Sequence, residues 1–128
     1  VTSATPTPAP SGSGRAGAAV AYALSQVGDA YVWGATGPSA FDCSGLTLMA
    51  WSQAGVSLPH SAAQQMSSGT PVSQSQLQPG DLVFYYSPVH HVGIYIGHGQ
   101  IVHAANPSDG VLVAPLLSMP YSGAVRPG

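Results

Sequence analysis

The sequence predicts an α+β fold, with helices in the first half of the chain and an antiparallel sheet in the second. Three observations carry that prediction. Apolar residues recur at helical spacing between Arg15 and Val27, and again after Asp42. Strand-like runs crowd the stretch from Asp81 to Ala104. Two of those runs flank the turn Gly97-His98-Gly99, which reads as a hairpin. Helices first and strands after them is the order of an α+β domain.

The elements follow in chain order. Residues 1–14 (VTSATPTPAPSGSG) are Pro, Thr, Ser and Ala without an apolar period, which predicts an extended linker or tail. Residues 15–128 are expected to form one domain. Its first helix runs from Arg15 to Val27, with Val20, Leu24 and Val27 on the apolar face and Gly28 as the stop. The stretch DAYVWGATGPSAFD holds Gly34, Gly37 and Pro38 and reads as a loop. Asp42 is a good N-cap for a helix carrying Leu46, Met49 and Ala50 on one face and ending by Gly55. Ser61 caps a short third helix through Gln65. A turn at Pro79-Gly80 feeds a strand from Asp81 to Tyr86, and the hairpin follows. Val111–Ala114 and Ser122–Val125 supply weaker strands. No internal repeat is visible.

Composition excludes several functions. Only 5% of the 128 residues are charged, against about 25% in ordinary soluble proteins. Arg15 and Arg126 are the only Lys or Arg residues, too few to bind nucleic acid or an anionic membrane surface through phosphates. No apolar run approaches the ~20 residues of a membrane span. The chain starts without Met and without a basic-then-apolar leader, so a mature product or a fragment of a longer exported protein is expected.

Cys43 is the only cysteine, so no internal disulfide can form. It is either a small buried hydrophobe or a nucleophile with a distant histidine. A helix starting near Asp42 places the thiol in its first turn, where unpaired N–H groups amount to about half a positive charge and stabilise a thiolate. Ser44 and Gly45 beside it are small enough to admit a substrate carbonyl. Position therefore favours the nucleophile.

A base must come from His60, His90, His91, His98 or His103. His91 opens the run HVGIYIG, and His103 lies in IVHAA. With an odd hairpin loop the two share a face, and His103 can hold one ring nitrogen of His91 while the other faces the thiol. An even loop would separate them. Asp109 is the only acid beyond His91, so the orienting third residue is expected to be His103, ahead of Asn106 and Asp109. His98 reads as a solvent-exposed turn residue, and His60 is left undecided. His90, His91 and His103 could instead form a metal cluster, but they lack a helical His-x-x-x-His spacing, cysteine pairs and nearby carboxylates. No metal or cofactor is expected.

Five segments in order resemble the NlpC-type cell-wall peptidases, a papain-like cysteine peptidase family: AYVWGATGPSAFDCSGLT, LPHSAAQQ, LQPGDLVFY, HHVGIYIG and HGQIVHAA. The resemblance covers nearly all of residues 16–125 and implies a papain-like domain. It implies Cys43 as nucleophile, His91 as general base and His103 as the polar third residue. Tyr31 would help an oxyanion site; Asp42, Ser44 and Ser61 would line the substrate groove, with His90 beside the base. Ala35 departs from the second glycine usual in relatives. The implied substrates are peptidoglycan stem peptides, cut between γ-D-glutamate and meso-diaminopimelate, by a secreted or wall-associated monomer. An N-acetylmuramoyl-L-alanine amidase on the same fold, a non-catalytic wall-binding module and a metal hydrolase are the rival readings. Residues 1–14 would be a tether rather than a plug over the groove.

Overall fold

The computed structural model describes residues 13–127. Three helices, α1 (Ser13–Ser25), α2 (Cys43–Ser52) and α3 (Ala62–Gln65), precede most of the sheet. Strands β1 (Ala30–Tyr31) and β2 (Ala40–Phe41) lie between α1 and α2. After α3 come β3 (Thr70–Pro71), β4 (Leu82–Tyr85), β5 (His91–Gly97), β6 (Gln100–Ala104), β7 (Val111–Pro115) and β8 (Tyr121–Arg126). The last six form one sheet in the order β3-β8-β4-β5-β6-β7, antiparallel at every junction. The α+β expectation holds.

Alternation along the strands explains why the sheet has two buried faces. Leu82, Phe84, Val92, Ile94, Val102, Ala104, Val111 and Val125 pack with α1 and α2. The alternate residues Val83, Tyr85, Ile101 and Ala124 join Leu116 in a smaller core on the opposite face. Tyr85 closes that second core by donating its hydroxyl proton to the Leu116 carbonyl at 2.7 Å.

The first helix differs from its expected form. It starts at Ser13, so a boundary at residue 14 falls inside it; the rest of the expected linker lies outside the described residues. Its buried positions are Ala16, Ala19 and Ala23, whereas Leu24 and Val27 are exposed. At Ala16 a small residue is needed because the chain comes very close there. A Cβ on Gly80 would lie 2.6 Å from the Ala16 Cβ, and the Trp51 indole donates to the Gly80 carbonyl at 3.0 Å. A leucine face would not fit that gap.

Two further details escaped the sequence. The segment from Asp29 to Asp42 is pinned by a two-residue parallel pair, Ala30 opposite Ala40 and Tyr31 opposite Phe41, too short to show a period. The weak C-terminal strand is β8, an internal strand between β3 and β4, reached by a crossover that local pattern cannot reveal.

Candidate active site

Cys43 opens α2, and the residue before it organises everything around it. Asp42 is extended (φ −97°, ψ −179°) and its side chain caps the helix, as expected. Its Oδ1 accepts from the Gly45 N–H at 2.7 Å, and its Oδ2 accepts from the Gly34 N–H at 2.9 Å. One buried carboxylate thus joins the first turn of α2 to the loop carrying Tyr31. The Asp42 N–H donates to the Ala35 carbonyl at 3.0 Å, and a Cβ on Gly45 would overlap that same carbonyl oxygen. Only glycine fits at position 45.

His60, undecided from sequence, belongs to this assembly. Its Nε2 stands 2.8 Å from the Asp42 Oδ1. Ser61, the next residue, caps α3 by accepting from the Gln64 N–H at 3.3 Å. Gln65 closes that helix and is fully buried. Its amide donates to the Ser44 carbonyl at 3.0 Å and to the Pro59 carbonyl at 2.8 Å, while its oxygen accepts from the Thr47 hydroxyl at 2.7 Å. This amide ties the first turn of α2 to the His60–Ser61 segment. From the sequence Gln65 is only a helix end, and nothing in the run AAQQ separates it from its neighbour Gln64.

The hairpin brings the histidines together. The connection between β5 and β6 has only two residues, His98 and Gly99, which by itself would put His91 and His103 on opposite faces. A register shift between Tyr95 and Gly97 inserts one extra residue and restores the parity. His91 and His103 therefore share a face on the diagonal, with Nε2 of His91 2.8 Å from Nδ1 of His103. Gly93 provides the room: a Cβ there would lie 3.3 Å from the His103 Cβ and 2.9 Å from the Ile101 Cδ1. Both rings are buried. His98 is an exposed turn residue with φ 56°.

Burial favours the neutral forms of Cys43, His91, His103 and Tyr31. Burial raises the Cys43 thiol pKa and the Asp42 charge adds to this, while backbone N–H groups of Val92, Ser44 and Cys43 pull it down. The Val92 N–H facing the sulfur places Cys43 against the first residues of β5, where His91 sits. Burial, then the His103 and His90 charges, lowers His91 to about 4. Burial also holds His103 below its usual value, against the pull of Asp109. Burial, Cys43 and Asp42 raise the Tyr31 hydroxyl, so the phenol stays a proton donor beside the thiol.

Of the expected site residues, Tyr31, Asp42 and Cys43 thus cluster at the helix start, and His91 with His103 at the hairpin. Ser44 is buried, its carbonyl engaged from two sides. His90 is exposed in the loop before β5, stacked on Tyr86. Among the described residues no group of three or more His, Cys, Asp or Glu could hold a metal ion. The arrangement sets a thiol at the start of α2 against the backbone of β5, whose first residue is the oriented imidazole of His91.

Comparison with known proteins agrees with this architecture. Residues 28–124 match the NlpC/P60 family. A Corynebacterium glutamicum protein named Probable endopeptidase Cgl2188 is 52% identical over 104 residues, covering 81% of this chain and 50% of that protein. The NlpC/p60 domain of the peptidoglycan hydrolase SagA superposes with a TM-score of 0.80 at 40% identity, over 86% of this chain and 97% of that one. NlpC2 from Trichomonas vaginalis superposes with a TM-score of 0.83 at 30% identity, over 91% of this chain and 48% of that one. The chain spans half the length of its Corynebacterium relative and 26% of a Mycobacterium tuberculosis one. With the family's sequence match over most of its length and the papain-like α+β fold of its solved members, the chain belongs to the NlpC/P60 family.

Proposed function

We propose that this domain is a cysteine endopeptidase that cuts peptidoglycan stem peptides outside the cytoplasm, at the bond between γ-D-glutamate and meso-diaminopimelate. The observation that carries the proposal is the 2.8 Å His91–His103 contact at the start of β5, the strand whose Val92 N–H faces the Cys43 sulfur. The relatives named as an endopeptidase and a peptidoglycan hydrolase supply the substrate class.

In the proposed reaction the Cys43 sulfur attacks the γ-glutamyl carbonyl while its proton passes to His91. The carbonyl oxygen gains the negative charge, met by N–H groups at the start of α2 and by the Tyr31 hydroxyl. His91 then returns the proton to the leaving amine, the C–N bond breaks and a thioester remains. Water, deprotonated by the same imidazole, attacks the thioester and regenerates the thiol. Such acid–base assistance contributes about 10²- to 10⁴-fold. His103 keeps the His91 ring oriented throughout. The domain is proposed to act as a monomer and without a cofactor.

Defined tripeptide and tetrapeptide muropeptides, digested and analysed by mass spectrometry, test the reading. Cleavage after γ-D-glutamate, lost in Cys43→Ala and blocked by iodoacetamide but not by EDTA, is expected. Release of stem peptides with that bond intact would mean an amidase. Binding without turnover would mean a wall-binding module.

A further inference from the structure

The loop between β4 and β5 holds a built feature that the proposed reaction leaves unused. Tyr86 follows β4 with φ 72°, a left-handed conformation that costs free energy for a tyrosine. Its N–H is anchored on the Pro120 carbonyl at 2.8 Å. Its ring stacks on His90 with centroids 4.5 Å apart and planes 11° apart. His90 Nδ1 lies 2.9 Å from the Pro88 carbonyl. A carbonyl oxygen only accepts, so Nδ1 carries the hydrogen, and in the neutral ring Nε2 is left as an acceptor. Ring plane and tautomer are therefore both set on an exposed side chain.

The position of this acceptor matters because His90 immediately precedes His91. The acyl half of a substrate must lie toward the start of α2, where the sulfur is. The amine half must lie toward His91, which protonates it. His90 is exposed, precedes His91 in the chain and lies close enough for its charge to act on that ring, so it is the loop side chain available to the leaving half.

We infer that His90, held against Tyr86 and Pro88, is a specificity-determining residue whose Nε2 accepts a hydrogen bond from the distal ammonium of the released diamino acid. This rests on the endopeptidase reading above. The stack supplies a fixed planar wall, and the acceptor selects a leaving residue with an N–H donor at the end of its side chain over an apolar one.

The test compares kcat/KM for two tripeptides, L-Ala-γ-D-Glu-meso-diaminopimelate and L-Ala-γ-D-Glu-L-Ala, in the wild type, His90→Phe and His90→Gln. Phenylalanine keeps a stacking ring without nitrogens; glutamine offers a polar atom near the Nε2 position. The preference for the diamino substrate should fall roughly tenfold in His90→Phe, the size of one lost hydrogen bond to a charged group. It should be largely retained in His90→Gln. An unchanged preference in His90→Phe, or an equal loss on both substrates, would overturn the inference and reduce His90 to loop packing or to an influence on His91. If Cys43→Ala cleaves either peptide as well as the wild type does, the endopeptidase reading itself fails, a separate result.

Discussion

His91 and His103 are twelve residues apart in the chain, yet their Nε2 and Nδ1 atoms stand 2.8 Å apart with no carboxylate in the contact. A single proton occupies that contact. For His91 Nδ1 to be free as a base, Nε2 must carry the hydrogen and His103 Nδ1 must accept it. In the proposed mechanism a neutral third residue, His103, orients the base without adding negative charge, which suits a site where burial already opposes charge on the thiol.

His103→Ala removes the acceptor and frees the His91 ring. We expect kcat to fall by about 10²-fold with little change in KM, since the loss is orientation of a base rather than binding. His103→Asn, which can still present an acceptor, should retain most of the activity. Steady-state kinetics on a defined tripeptide would decide it, and equal losses in the two variants would contradict an orienting role.

The pH dependence follows from burial. With His91 lowered to about 4, the neutral base persists well below 6.5, so the acid limb of kcat/KM should lie near 4. The same shift has a stability consequence. Between about 4 and 6.5 the unfolded ring binds a proton that the native ring does not, so stability rises with pH through that window and this contribution is gone below it. Urea unfolding at several pH values would show a shallower slope for His91→Gln than for the wild type; identical slopes would contradict the assignment.

Gly45→Ala should be severely disruptive. The added methyl would overlap the Ala35 carbonyl and lie 2.7 Å from the Asp42 Oδ1, displacing the cap or the loop. Overpacking of this kind costs about 1–3 kcal/mol, measurable as a shift in the denaturation midpoint, and activity should fall further than stability alone explains. A fully active, equally stable variant would show that the loop can move aside.

Gln65→Leu strips partners from the Ser44 and Pro59 carbonyls and the Thr47 hydroxyl in a fully buried site. A loss of about 3 kcal/mol is expected, because buried polar groups left unmade are costly. Gln65→Glu keeps the accepting oxygen but cannot donate while ionised, so it should be destabilised too, and less so as the pH falls. Chemical denaturation at pH 5 and pH 8 would reveal that difference.

Local signals made much of this protein legible in its sequence. Asp42 and Ser61 cap the helices they precede because a short acceptor before a helix satisfies N–H groups that nothing else reaches. The alternation after His91 marks a strand. Long-range geometry was different. The loop length alone gave the wrong parity for the histidines, and the extra residue between Tyr95 and Gly97 corrected it. Ala16 on α1 meets the close approach of Gly80, a long-range contact that helical periodicity cannot reveal. His60 reached Asp42 across 18 residues, and Gln65 reached Ser44 across 21. Residue type sets what each side chain can bond and which local turn it prefers. Which partner it meets depends on register and packing, and those are settled only when the whole chain competes for the same buried space.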